Sequence, residues 1–247
     1  KGNEKSVEGN INKTVFSAEY SLINTYKYRK LDYDKTVEQK HLDKEYLLED
    51  IKSHIIFTDS LVSLANTLCE SEDNPLKKAR KIYDYITINI EYKFMPPYDT
   101  IDNIPEYCAN YSKGDCGCMA LLFVTLLRIV GIPAKWQSGI DTKPAFSSEH
   151  NWASFYIEPH GWLYADLSYG TLAYANKEMR LWNFYFGNID PYRIVISDKF
   201  GADLCPSKKY ERLDPYDNQY GEAEYVDSKI EKEKINFKYN VLDVHER

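Results

Sequence analysis

The sequence lacks several features that mark specialised classes of protein. Its 247 residues include only five cysteines, an odd number and far too few for a disulfide-stapled scaffold. No apolar run approaches the roughly 18 residues that a membrane span needs, so we expect no integral membrane segment. Positive charge is also scarce, with 31 Lys and Arg against 38 Asp and Glu, a net charge of −7. This balance argues against a nucleic-acid partner or an anionic membrane surface.

The rest of the composition is that of an ordinary folded protein. Hydrophobic residues make up 43% of the chain and charged residues 28%, with 22 tyrosines among the aromatics. The length predicts one large domain, or one domain with an appendage. The first residue is Lys1 rather than Met, from which we expect that an N-terminal segment has been removed.

We divide the chain into three predicted regions. Residues 1–50 are predicted to contain a polar leader at 1–13 and a strand at Phe16–Leu22, which could be the remnant of a preceding domain. Residues 51–170 carry the strongest periodic patterns and form the predicted core. Residues 171–247 are rich in loops and aromatics, with a predicted strand at Lys234–Val241, and we expect this C-terminal extension to pack on the core.

Three elements of the core follow from local signals. Asn74 and Pro75 predict the start of a helix, whereas Pro96-Pro97 predicts a loop lasting to about Gly114. The stretch 116–130 is apolar nearly all round, which indicates a buried central helix that stops at Gly131. Two strand-like runs, 150–157 and 162–167, are separated by a turn sequence and predict a hairpin.

Cys116 is a candidate nucleophile because it lies at the start of the buried helix. The positive end of the helix dipole and the free backbone N–H groups there favour a thiolate and predict a lowered pKa. The same N–H groups could stabilise the oxyanion that forms during acyl transfer.

His150 and Asp166 are the candidate base and its orienting acid. His150 opens the first strand of the hairpin, and Asp166 lies near the end of the second. A turn with an odd number of residues puts the two on one face, so that the carboxylate can orient the imidazole, whereas an even turn separates them.

Interpretations of these residues without catalysis remain open at this point. A cysteine at a helix start is more often structural than catalytic, and Asp166 could simply cap the end of a strand. A zinc site could instead use Cys108, Cys116, Cys118 and His150, although no repeated CxxC pair supports it.

Three segments, in order, resemble the transglutaminase-like superfamily over about residues 55–170. Gly114-Asp115-Cys116, followed by Ala120 and an Arg-x-x-Gly-Ile-Pro-Ala exit at residues 128–134, is similar to the nucleophile motif of that family. His150-Asn151-Trp152 resembles its His-x-Trp, and the stretch 161–166 its Gly-Trp-x-x-x-Asp.

The resemblance implies an α+β fold with a papain-like core, in which a Cys-bearing buried helix packs on an antiparallel sheet that carries His and Asp. It implies a cysteine-dependent acyl-transfer enzyme acting on peptide or carboxamide bonds through Cys116, His150 and Asp166, with a thioester intermediate and no cofactor. Asn110, six residues before the cysteine, sits at the spacing that papain-type enzymes use for an oxyanion side chain.

The resemblance leaves the acceptor open, and we favour hydrolysis over cross-linking because the chain is too short for the flanking domains of animal transglutaminases. It implies a protein or peptide substrate, which could be a cell-wall peptide, and a bacterial extracytoplasmic or secreted location. The alternative is a non-catalytic module that binds peptide or glycan in the same cleft.

Overall fold

A computed structural model of the chain describes residues 14–25, 28–37, 44–143 and 146–244. The predicted leader at 1–13 lies outside the described residues. The fold is α+β, as the sequence predicts: helices pack against an antiparallel sheet.

Six α-helices lie along the described part of the chain: α1 (Asp59–Leu68), α2 (Pro75–Asn89), α3 (Ile104–Tyr111), α4 (Cys116–Ile129), α5 (Leu167–Ala175) and α6 (Met179–Phe184). Capping side chains fix several of their starts. The Asn74 side chain accepts from the backbone N–H of Lys77 at 3.1 Å, which confirms the predicted start of α2.

Two sheets contain the described strands: β1 (Glu91–Tyr92), β2 (Lys113–Gly114), β3 (Ala134–Lys143), β4 (Phe146–Ile157), β5 (Gly161–Ala165) and β6 (Arg193–Ser197). Strands β1 and β2 form a short parallel pair. The larger sheet has the antiparallel order β5-β4-β3-β6.

Helix α4 is the centre of the apolar core. Nearly all of its residues are buried, and it packs on β3 and β4. The Phe123 ring meets Phe155 of β4 edge-on at 5.6 Å, and the Trp136 indole of β3 donates to the Gly117 carbonyl at 3.3 Å. Gly131 follows with φ of 80°, a conformation that glycine adopts without strain, so the predicted helix stop is confirmed.

The hairpin has the odd turn that the predicted His–Asp pairing requires. Ile157 pairs with Gly161, so three residues form the turn between β4 and β5. Strand β5 ends at Ala165, however, and Asp166 is the N-cap of α5 rather than a strand residue. The expectation that the sheet carries both residues therefore needs a correction, because only His150 lies on it.

Several predicted elements differ from the structure. Residues 16–22 form no strand and have exposed side chains, and 234–241 form none either, because neither stretch pairs with a neighbouring strand. The predicted loop before Gly114 contains helix α3, which Asn103 caps and Pro105 helps to start. Strands β3 and β6 and helices α5 and α6 have no counterpart in the prediction.

Candidate active site

Cys116 is the first residue of α4, as the sequence predicts. Asp115 caps the helix: its Oδ1 accepts from the backbone N–H of Cys118 at 2.9 Å and from the Tyr98 hydroxyl at 2.6 Å. The Gly117 position is tight, because a Cβ there would come 2.4 Å from that hydroxyl oxygen. Asp115 therefore fixes the first turn of α4 through two contacts, one with the Cys118 N–H and one with the Tyr98 hydroxyl.

The electrostatic surroundings of the thiol differ from the expectation of a lowered pKa. Burial raises the pKa of the half-buried Cys116, and the carboxylate of Asp115 raises it further. A hydrogen bond from the backbone N–H of Asn151 opposes both. The prediction rests on the helix dipole and the free backbone N–H groups at the helix start, whereas the residue that caps the helix also brings a negative charge beside the thiol.

His150 and Asp166 are brought together. Nε2 of His150 lies 2.8 Å from Oδ2 of Asp166, and both side chains are buried. Because Nε2 donates to the carboxylate, the lone pair of the neutral imidazole is on Nδ1. The backbone N–H of Asn151, which follows His150 on β4, reaches the Cys116 thiol, so the strand that carries the imidazole also contacts the candidate nucleophile.

Every oxygen of Asp166 is occupied by donors. Oδ1 accepts from the Ser168 hydroxyl and from the backbone N–H of Tyr169, each at 3.0 Å. Oδ2 accepts from His150 and lies 3.0 Å from Nη2 of Arg193. Burial alone would raise the pKa of Asp166, but the charges of His150 and Arg193 hold it well below its usual range, so the carboxyl is ionised.

Tyr92 is a site residue that the motifs do not reveal. Strand β1 pairs with β2 in a register that puts Tyr92 opposite Gly114, two residues before Cys116. Its hydroxyl hydrogen-bonds with the Cys116 side chain, while 48% of the residue is exposed. Burial of the hydroxyl and the nearby thiol raise the pKa of Tyr92, so it acts as a donor. Nothing in the sequence near Tyr92 signals this contact, which depends on the β1–β2 pairing.

A segment of the C-terminal region also lines the site. The side-chain amide of Gln219 lies 3.2 Å from the His150 carbonyl and 3.0 Å from Oδ1 of Asn151. The Asn151 amide in turn lies 3.4 Å from Oδ1 of Asp217. Burial, together with the neighbouring carboxylates of Asp214 and Asp115, raises the pKa of Asp217 to about 8.

Asn110 lies exposed in the last turn of α3. Its predicted oxyanion role stays a prediction.

The alternative zinc site is not formed. Among residues 14–25, 28–37, 44–143 and 146–244, no three His, Cys, Asp or Glu side chains are arranged to hold a metal ion. All five cysteines are free thiols. Within the same ranges, no helix is both long and apolar enough to cross a bilayer.

Comparison with known proteins supports the recognition made from the motifs. Residues 62–167 match the family model of the transglutaminase-like superfamily, so this part of the chain is similar to the core of that family. A curated relative, the uncharacterized protein YebA of Bacillus subtilis (strain 168), is 26% identical over an alignment of 157 positions that covers 54% of this chain and 21% of YebA. The chain thus spans about a fifth of the length of that relative.

Solved structures show more distant likeness. A candidate cysteine protease from Cytophaga hutchinsonii is 23% identical with a TM-score of 0.42, covering 56% of this chain and 43% of its own. The periplasmic domain of TgpA from Pseudomonas aeruginosa is 21% identical with a TM-score of 0.41, covering 52% and 49%. The chain therefore spans less than half of either structure.

Proposed function

We propose that the protein is a cysteine-dependent acyl-transfer enzyme that acts on peptide or carboxamide bonds, with Cys116 as nucleophile, His150 as base and Asp166 as its orienting acid. The observation that carries this proposal is the 2.8 Å contact between His150 and Asp166. His150 lies on the strand β4, and the backbone N–H of the next residue on that strand, Asn151, reaches the Cys116 thiol. A buried His–carboxylate pair beside a thiol at a helix start is the arrangement that nucleophilic catalysis requires.

The proposed reaction begins with a neutral thiol. Nδ1 of His150 takes the proton from Sγ of Cys116 as the sulfur attacks the substrate carbonyl carbon, and the carbonyl oxygen becomes an oxyanion. The intermediate collapses to a thioester when the C–N bond breaks and His150 gives its proton to the leaving amine. Asp166 keeps the tautomer and stabilises the imidazolium without itself taking the proton.

The second half-reaction releases the acyl group. A water molecule, deprotonated by His150, attacks the thioester carbon, and the thiolate leaves and is reprotonated. Backbone N–H groups in the first turn of α4 are the proposed oxyanion donors, because the helix start concentrates such groups there. We propose hydrolysis as the main outcome and a peptide as the substrate, in an extracytoplasmic or secreted location.

A second candidate is a binding module without catalysis. Burial and Asp115 raise the pKa of the Cys116 thiol, which favours an unreactive thiol. Thiol reactivity therefore distinguishes the two candidates.

The first experiment measures alkylation of the full chain by limiting iodoacetamide across pH, with each cysteine followed by peptide mass spectrometry. Cys205 is exposed and serves as an internal reference for an accessible cysteine. We expect His150→Ala to slow the alkylation of Cys116 relative to that of Cys205, because the imidazole no longer takes the proton of the thiol. Equal reactivity in the parent and in His150→Ala would favour the binding module.

A second experiment identifies the acceptor. The parent and Cys116→Ala are incubated with a glutamine-containing peptide, with and without methylamine, and the products are weighed by mass spectrometry. Hydrolysis adds one mass unit at glutamine or cleaves the chain, whereas transamidation incorporates the amine. Only products absent from Cys116→Ala support the proposal.

A further inference from the structure

Arg193, the first residue of β6, reaches the back of the His–Asp pair. Its Nη2 lies 3.0 Å from Oδ2 of Asp166 and 2.9 Å from Oδ2 of Asp190, while Nη1 lies 3.4 Å from Oδ2 of Asp141. Only 4% of its side chain is exposed. Gly139 allows β6 to approach β3 this closely, because a Cβ there would come 1.8 Å from the carbonyl oxygen of Ile194.

Other charges join the same group. Lys143 of β3 lies 3.0 Å from Oδ2 of Asp141 and 3.3 Å from Oδ2 of Asp190. We call Asp141, Lys143, Asp166, Asp190 and Arg193 the charge cluster. Its three carboxylates and two cations give the charge cluster a net charge of −1. A proton on the adjacent imidazole of His150 would bring the total charge of the cluster and His150 together to zero.

One carboxylate oxygen connects the charge cluster to the chemistry. Oδ2 of Asp166 takes both His150 and Arg193, so the two compete for the same negative charge. In a buried, weakly screened setting a full charge at this distance has a large effect on its neighbour. Arg193 does not lose its own charge: burial alone would lower its pKa, but the three carboxylates raise it.

We propose that Arg193 is a positioning residue that divides the negative charge of Asp166 between itself and His150, and thereby sets the pH at which the Cys116 thiol becomes reactive. This inference rests on the proposed function. Asp190, Asp141 and Lys143 act through Arg193, because they determine how much of its charge is left for Asp166.

Further titratable and charged groups face the reacting atoms, and one of them, Tyr169, also contacts Arg193, whose guanidinium carbon lies 4.8 Å from the centroid of the ring. Asp115 and Asp217 lie near the thiol, and Tyr92 hydrogen-bonds with it. The Tyr169 ring lies 5.0 Å from the imidazole, and its hydroxyl donates to Oδ2 of Asp141 at 2.6 Å. These groups stay constant across the test variants, so a change between variants reports the charge cluster.

The test compares two substitutions of opposite charge. In the iodoacetamide assay, Arg193→Gln leaves more of the Asp166 charge for an imidazolium, which favours the thiolate. We expect its Cys116 midpoint to fall by about one pH unit. Asp190→Asn frees Arg193 to bind Asp166 more strongly, so its midpoint should rise by about half a unit. Arg193→Lys keeps the charge and should remain near the parent.

A purely structural role would move both variants the same way, since each would disturb the site and slow alkylation. Shifts in one direction, or none, would overturn the inference. Should Arg193→Gln not fold, Lys143→Gln replaces it, because Lys143 is 30% exposed and its loss also removes a cation; its midpoint should fall. The proposed function itself fails only if the parent shows no dependence on His150, which is a separate result.

Discussion

The two faces of the larger sheet are built from opposite kinds of residue. On the face against α4, Trp136 and Phe155 pack on the apolar helix. Residues of opposite parity on the same strands, Asp141 and His150, belong to the charged and polar side, where Arg193 completes the arrangement. The apolar face is held by packing that has no directional partners, whereas each group of the charged side is held by hydrogen bonds and ion pairs with several particular neighbours.

Removing the charge from Asp166 should give the largest effect and break the charged side alone. In Asp166→Asn the amide can still cap α5, since Asn is a good N-cap, but it no longer stabilises an imidazolium. We expect turnover of the glutamine-containing test peptide to fall on the order of 1,000-fold. Steady-state kinetics measure this, with circular dichroism to check the fold.

Asp84→Asn is the control, because Asp84 pairs with Arg80 away from the site. A loss of turnover in both variants would contradict the assignment of Asp166.

Truncation under α4 should break the apolar face alone. Phe123→Ala removes a fully buried ring and leaves a cavity, for which we expect a loss of about 3–5 kcal/mol in the free energy of unfolding. Urea unfolding measures it, and Phe16→Ala, at a residue 76% exposed, is the matched control. An equal loss in the control would contradict this account of the core.

Asp217, a buried carboxyl near the thiol, allows the polar side of the site to be tested through the pH dependence of stability. Its pKa rises from the ordinary 3.8 to about 8 on folding, so the folded state holds a proton that the unfolded state releases. Stability from this group is therefore greatest below the unfolded pKa and is lost as pH rises through about 8. We expect Asp217→Asn to be more stable than the parent by about 1–3 kcal/mol above that pH, and equal at the acidic end.

Urea unfolding at a series of pH values tests the Asp217 prediction. Asp203→Asn, at an exposed carboxylate, should keep the slope of the parent over the same window. If the stability of the parent did not fall between the ordinary pKa of 3.8 and about pH 8, this result would contradict the raised pKa of Asp217.

Tyr92 should give the smallest effect. Tyr92→Phe removes one hydrogen bond to the thiolate, worth about 0.5–1.5 kcal/mol, so alkylation of Cys116 should slow by about 2–10-fold. Tyr111→Phe, on the exposed face of α3, is the control. An unchanged rate in Tyr92→Phe would mean that the hydroxyl does not act on the reactive thiol.

The same contrast explains what the sequence could predict. Helix α4, its stop at Gly131 and the presence of the hairpin follow from neighbouring residues, so local patterns are sufficient for them. The length of the hairpin turn does not follow in this way, and the structure shows it to be odd. The charge cluster joins Asp141 to Arg193 across 52 positions of the chain, and the pairing of β3 with β6 that brings them together leaves no mark in either segment. The site could be predicted as far as its motifs extend, whereas Tyr92, Asp217 and Arg193 depend on tertiary packing.

The lowered pKa predicted for Cys116 is wrong for a related reason. The helix start is a local feature and was identified correctly, but the thiol also responds to burial and to a carboxylate from its own cap. Desolvation is a property of the assembled fold, so a sequence alone cannot weigh it against a dipole.

Because Asp166 contacts both the imidazole and the start of α5, one backbone amide of α5 reports on the state of this carboxylate. One oxygen of this carboxylate orients the imidazole, while the other accepts from the N–H of Tyr169 in the first turn of α5. The nuclear magnetic resonance of that single amide therefore responds to any change of charge or orientation at the carboxylate. Ligand screening could follow one peak on α5, without a label on the cysteine and before any substrate is known.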